Sequence, residues 1–178
     1  EDLGAGWTSF SDAQPMEDPR QDECALLAPG PLAELRNVAA HSGPALRHDA
    51  TGFTTVTIAY AFEDAVQAGR WLAVSRDPAY IECDRARIEA LQQAALPGVR
   101  VALSDRNASL ATSGDFAVAR DVLAGDGGAI GLNDRRHYLV RNVVVVQVSA
   151  LVGPLDQQSA ADISVQLRDG LERAAARV

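Results

Sequence analysis

Lysine is missing from this chain: all 16 basic residues are arginine. With abundant alanine, this fits the coding bias of a GC-rich genome, and most of the guanidiniums are expected on solvated faces. Cysteine occurs only twice, at Cys24 and Cys83. Neither belongs to a CxxC pair and no histidine is spaced to complete a zinc site, so no metal centre is expected. Apolar runs are short, and the all-valine run Val143 to Val146, like the others, falls far below the roughly 18 to 20 residues of a transmembrane helix. Positive charge is scarce as well. Sixteen basic residues stand against 24 acidic ones, a formal charge of -8 with a pI near 4.8, which argues against a protein that grips nucleic-acid phosphates.

Catalytic signatures are equally sparse. The three histidines, His41, His48 and His137, show no HExxH spacing, and no GxSxG elbow presents a serine nucleophile. Cys24 follows Asp22 and Glu23, the wrong electrostatic setting for a reactive thiolate. Gly125-Asp126-Gly127-Gly128 lacks the GK[ST] ending of a P-loop and leads into strand-like sequence, so it reads as a hairpin loop. Asn107-Ala108-Ser109 matches the glycosylation sequon, which says little without a eukaryotic secretory context. No catalytic residue and no cofactor is expected.

What is present suffices for one core. The 178 residues are 47% hydrophobic and 22% charged, close to soluble globular averages, and a domain of this size buries roughly 70% of the surface its unfolded chain exposes. Charge divides the chain unevenly. Residues 1–23 hold seven acidic residues and only Arg20, a charge of -6, leaving -2 for the other 155 residues. With Pro15, Pro19, Gly4 and Gly6 and no apolar period, residues 1–23 read as an acidic flexible leader or linker, and residues 24–178 as a single domain. Beginning on Glu1, the chain is expected to be an excised or processed piece.

Leu32, Leu35, Val38 and Ala39 predict a short helix over Pro31–Ala40, ended by His41-Ser42-Gly43-Pro44. Phe53 to Phe62 is rich in β-branched and aromatic residues and alternates, a strand. Phe62, Ala65, Val66, Gly69, Leu72 and Ala73 repeat at helical spacing up to Asp77-Pro78. A second helix follows over 79–95, with Ile81, Ile88, Leu91 and Ala95 inward and Arg85, Arg87, Glu89 and Gln92 outward. Strands are expected over 99–103, 116–123 and, as one long strand or a pair, 137–150. A last amphipathic helix carries Ala160, Ile163, Leu167, Leu171, Ala174 and Val178 inward. Consecutive strands with short links favour an α+β fold, an antiparallel sheet packed by amphipathic helices.

Two features bear on function. In an oxidising compartment Cys24 and Cys83 can bridge, closing a loop of about 60 residues; otherwise they are two separate buried thiols. Arg136 and Tyr138 share a strand face, with Arg141 close by, and guanidiniums beside an aromatic suit a carboxylate, phosphate or sulfate. The same residues also suit a charged strand edge that resists aggregation.

The strand leading into an Ala-rich helix over 62–74, Asp77-Pro78-Ala79-Tyr80-Ile81-Glu82-Cys83, Val140-Arg141-Asn142-Val143-Val144-Val145 and the final helix resemble the secreted sensor domains and lipoproteins of actinobacteria. The chain is similar to the PknH-type kinase extracellular sensor domain. Members of that group carry two disulfides, whereas one is possible here. The resemblance implies an envelope location, a Cys24–Cys83 disulfide, a ligand cleft and an acidic leader serving as a tether. The leading expectation is therefore a non-enzymatic extracytoplasmic sensor or ligand-binding domain of an envelope-anchored protein. Its partner is expected to be a small molecule or an envelope protein, with membrane contact only through an anchor outside this sequence. A Ser/His/Asp hydrolase and an envelope protein-interaction module are the alternatives.

Overall fold

The computed structural model describes residues 5–15, 22–27, 34–105, 116–125 and 128–152, with Asp162, Val165, Gln166, Asp169, Gly170, Glu172, Arg173 and Ala176. Among them nine strands form one sheet whose strand pairs are all antiparallel: β1 Trp7–Ser9, β2 Gln14–Pro15, β3 Asn37–Ser42, β4 Leu46–His48, β5 Thr54–Phe62, β6 Ala102–Asp105, β7 Phe116–Leu123, β8 Ala129–Val140 and β9 Val143–Val152. Helices α1 Ala65–Ser75 and α2 Pro78–Ala95 connect β5 to β6. The fold is α+β, a single domain. Its order across the sheet is β1-β4-β5-β9-β8-β7-β6, with β3 also on β5 and β2 on β3.

Val144 and Val146 of β9 are buried on one face and Val145 on the other, and β9 lies between β5 and β8, where a strand apolar on both faces belongs. On the helical side Phe62, Val144 and Val146 pack with Trp71 of α1 and Tyr80 of α2. Asp64 caps α1, accepting from the Gln67 amide at 2.8 Å, and Asp77 caps α2 ahead of Pro78, accepting from Ala79 at 2.8 Å. Cys24 and Cys83 form a disulfide, their Cα atoms 5.4 Å apart, which ties the 3-10 turn Ala25–Leu27 to α2.

Three expectations need correction. The helix expected over 31–40 gives way, at residues 37–40, to β3. The helical spacing of Val38 and Ala39 is outweighed there by pairing with Ile58–Phe62 of β5, whose backbone groups would otherwise lack partners. Leu35, from the same spacing, enters the core just before the strand begins. In α1 the inward residues are Ala68, Trp71, Leu72, Val74 and Ser75, while Ala65, Val66 and Ala73 are exposed. Trp71, the largest apolar side chain of the helix, sets that face. In α2 Tyr80, Asp84 and Ile88 point inward, and Leu91 and Ala95 are exposed.

Within the stretch that reads as an acidic leader, β1 and β2 pair with β4 and β3. Trp7 holds β1 down: its ring lies edge-on to His48 and Phe53, and its indole N–H donates to Gln166 at 3.1 Å. Asp162, Val165, Gln166, Asp169, Gly170, Glu172 and Arg173 are helical, as expected for the last segment, but the inward positions named for that helix lie outside the described residues. So does the sequon at 107–109.

The strands expected over 137–150 form a hairpin, β8 to β9, turning at Arg141-Asn142. Arg141 has φ 56°, a left-handed conformation costly for any residue with a Cβ. Arg141→Gly is expected to raise stability by up to about 1 kcal/mol, since relief of the strain exceeds the added freedom of the unfolded chain. Urea unfolding checks this, and a lower midpoint for the variant would show that the arginine's own contacts outweigh the strain.

Candidate functional site: a buried arginine cluster

Asp84 stands on α2 one turn after Tyr80 and one turn before Ile88, beside Cys83, which fastens the helix to the 3-10 turn. Its side chain is only 4% exposed, so ionising it requires partners. Three guanidiniums supply them. Oδ1 accepts from Arg87 Nη2 at 2.8 Å and Arg135 Nη1 at 2.9 Å, while Oδ2 accepts from Arg120 Nη1 at 3.2 Å. Arg120, 1% exposed, also donates to the Ile81 carbonyl at 3.0 Å. Residues Val118 and Arg120 of β7 stand opposite Arg135 and Asn133 of β8, so both arginines share the sheet face beneath α2.

A second carboxylate completes the cluster nearer solvent. Asp22 Oδ1 faces Arg87 Nη1 at 3.3 Å and accepts from the Cys24 amide at 2.9 Å, while Oδ2 accepts from the Tyr80 hydroxyl at 3.4 Å. That hydroxyl accepts in turn from Arg135 Nη1 at 3.2 Å. Three guanidiniums and two carboxylates thus meet in one network.

The titration of these groups reflects the same arrangement. Burial pushes the Asp84 carboxyl up, but Arg135, Arg87 and Arg120 together pull it below its ordinary 3.8. Burial, with Asp22 and Asp84 adding to it against Arg135 and Arg87, pushes the Tyr80 phenol up to about 12. Tyr60 of β5 is raised as well, mainly by burial, and feels Arg135, Asp22 and Arg87, which places its phenol in the same field. Arg135 and Arg87 stay charged: burial disfavours their cations, but Tyr80 and Asp84 around the first and Asp22 and Asp84 around the second more than compensate.

Among the described residues, Arg135 Nε and Trp71 Nε1 are buried donors without a hydrogen-bond partner. The Trp71 ring lies edge-on to both Tyr60 and Tyr80, at centroid distances of 5.9 and 6.4 Å. Unpaired buried donors are costly unless something accepts from them. Tyr60, Trp71, Tyr80, Arg87 and Arg135 thus stand close together, with Asp22 bound to Arg87 and Tyr80.

The residues expected to bind a ligand lie elsewhere. Arg136 and Tyr138 do share a face, but it is the opposite one, and both are buried. Arg136 Nε bonds Asp134 Oδ2 at 2.7 Å, and Tyr138 packs with Val143 and Val145. Arg141 is exposed in the hairpin turn. Asp134, whose carboxyl burial pushes up against the pull of Arg136, leaves Oδ1 without a partner beside the similarly unpaired Gln147 Oε1 of β9. The histidines are dispersed over β3, β4 and β8, and His48 engages Thr51 through Nδ1 at 3.1 Å. Among the described residues no group of three or more His, Cys, Asp or Glu side chains could hold a metal ion, and no helix is long and apolar enough to cross a membrane.

Sequence reading missed Tyr80, Asp84 and Arg120 and passed over Arg135 in favour of its neighbour. One signal was available. A bridged Cys83 must face the body, and helical spacing then brings Tyr80, Asp84 and Arg87 to the same side.

The chain therefore falls in the class of disulfide-bonded α+β domains built on one large antiparallel sheet. Among solved structures it is similar to the extracellular domain of PknH from Mycobacterium tuberculosis, at 13% identity and a TM-score of 0.40 over 92% of this chain and 86% of that one. No protein-family model matches it, and neither does any curated protein.

Proposed function

We propose that this chain is a non-enzymatic, extracytoplasmic sensor or ligand-binding domain of an envelope-anchored protein, and that its ligand is a small oxyanion held by Arg87, Arg135 and Tyr80. The convergence of three guanidiniums on one buried carboxylate, with the unpaired Nε of Arg135 among them, carries this reading. Guanidinium forks match planar and tetrahedral oxyanions, and low surrounding dielectric strengthens the contact. The disulfide supports the location, since such bonds persist in oxidising compartments.

A thermal-shift titration with acetate, sulfate and phosphate at constant ionic strength tests it. A bound anion at tenfold excess over its Kd adds about 1.4 kcal/mol. The rise in Tm should disappear in Arg87→Gln, a substitution at a side chain 41% exposed and so tolerated by the fold. If no oxyanion shifts the transition, or all shift Arg87→Gln equally, the ligand assignment fails.

A further inference from the structure

Resting on that oxyanion reading, we infer that Asp22 is a displaceable internal occupant of the site, and that the ligand is a small carboxylate that takes its place. The two carboxylates of the cluster are held very differently. Asp84 has guanidinium contacts of 2.8, 2.9 and 3.2 Å and is 4% exposed. Asp22 makes its two cluster contacts at 3.3 and 3.4 Å, beyond the range of strong charge-assisted bonds, and its side chain is 20% exposed. Asp84 is sealed in by α2 and the sheet, whereas Asp22 sits where solvent reaches.

Asp22 also arrives on a different part of the chain. Its backbone carbonyl accepts from the Ala25 and Leu26 amides of the 3-10 turn held to α2 by the Cys24–Cys83 disulfide, so the carboxylate is kept at high local concentration while its side chain stays partly exposed. A carboxylate is the group already accommodated: one oxygen faces Arg87 and the other Tyr80. An incoming carboxylate meets those same two donors. Arg135, hydrogen-bonded to the Tyr80 hydroxyl and with its Nε unsatisfied, adds the positive charge behind them. When Asp22 swings out it loses the Cys24 amide, whose hydrogen bond to Oδ1 reports the displacement.

The experiment compares the intact disulfide-bonded chain with Asp22→Ala, Asp22→Asn and Asp22→Ala/Arg87→Gln. Calorimetric titration with sodium acetate is run against sodium sulfate at matched ionic strength. Removing the internal competitor should tighten acetate binding at least tenfold in Asp22→Ala and in Asp22→Asn, and the gain should vanish in the double variant. In the unmodified chain, saturating acetate should speed hydrogen exchange at the Cys24 amide while leaving α2 amides unchanged. Acetate binding unaltered by both Asp22 variants, tightening that survives Arg87→Gln, or a Cys24 amide indifferent to acetate would each overturn the inference and leave the oxyanion site standing. Sulfate preferred over acetate would overturn the carboxylate assignment. Binding of neither anion to any variant would remove both this inference and the proposed function.

Discussion

Asp84→Asn is expected to lower the free energy of unfolding by about 3–5 kcal/mol, the cost of removing one partner from a buried ion pair. The substitution keeps the shape but deletes the charge that Arg87, Arg120 and Arg135 share. Arg87 can turn to water, being 41% exposed, whereas Arg120 at 1% cannot. The loss therefore comes mainly from Arg120, which gives up a buried carboxylate partner where water cannot replace it. Arg87→Gln provides the contrast: it leaves Asp84 with two arginines and should cost less than about 1 kcal/mol, as for partly exposed ion pairs. Chemical denaturation of both variants decides the matter, and equal losses would show that burial does not rank these contacts.

The same carboxylate gives a pH dependence with a definite sign. Its pKa in the folded state lies below the ordinary 3.8, so the unfolded chain binds the proton more readily as acid is added. The stability due to Asp84 is complete above the unfolded value and is lost as pH falls through the folded one. Asp134 acts in the opposite sense. Burial raises its folded pKa, so its contribution falls as pH rises from 3.8 toward that raised value. Asp84→Asn should therefore flatten the acid limb of the stability curve, and an unchanged slope below pH 3.8 would contradict the assignment.

Reduction of the Cys24–Cys83 bond is expected to produce the second large effect. The cysteines are 59 residues apart, and releasing a loop of that length costs about 4 kcal/mol in the chain-entropy model, within the usual range of about 2–5 kcal/mol. For a chain of this size that lowers Tm by roughly 8–16 °C. Cys24→Ala/Cys83→Ala should reproduce the reduced wild type and become insensitive to reductant. A Tm that stays put when mass spectrometry shows complete reduction would mean that the turn carrying Asp22 is held by packing alone.

Periodicity made much of this fold readable. The alternation of Thr54–Phe62 and the two-sided valines of β9 each follow one dominant pattern, and both emerge as expected. The pattern misleads where pairing or polarity competes with it. Val38 and Ala39 belong to a helical-looking spacing, yet residues 37–42 are claimed by the free edge of β5. Strand β8 begins at Ala129, eight residues before the expected start, because Asn133, Asp134 and Arg136 are polar and nonetheless buried, so hydropathy conceals the strand. The site was hidden for the same reason. Asp84, Arg120 and Arg135 are ordinary surface residues until register places them under one helix, and that register joins segments 36 and 51 residues away from Asp84.

The disulfide also determines how the chain would behave under mechanical load. Pulling on the stretch before Asp22 meets first the three register pairs of β1 and the two of β2, short contacts that can peel away one at a time. Force then arrives at Cys24 and crosses a covalent bond directly into α2. The segment between the two cysteines is thereby hidden from extension, about 200 Å of contour at 3.3–3.6 Å per residue. In a single-molecule stretching trace that length should be absent under oxidising conditions and released in full once the bond is reduced.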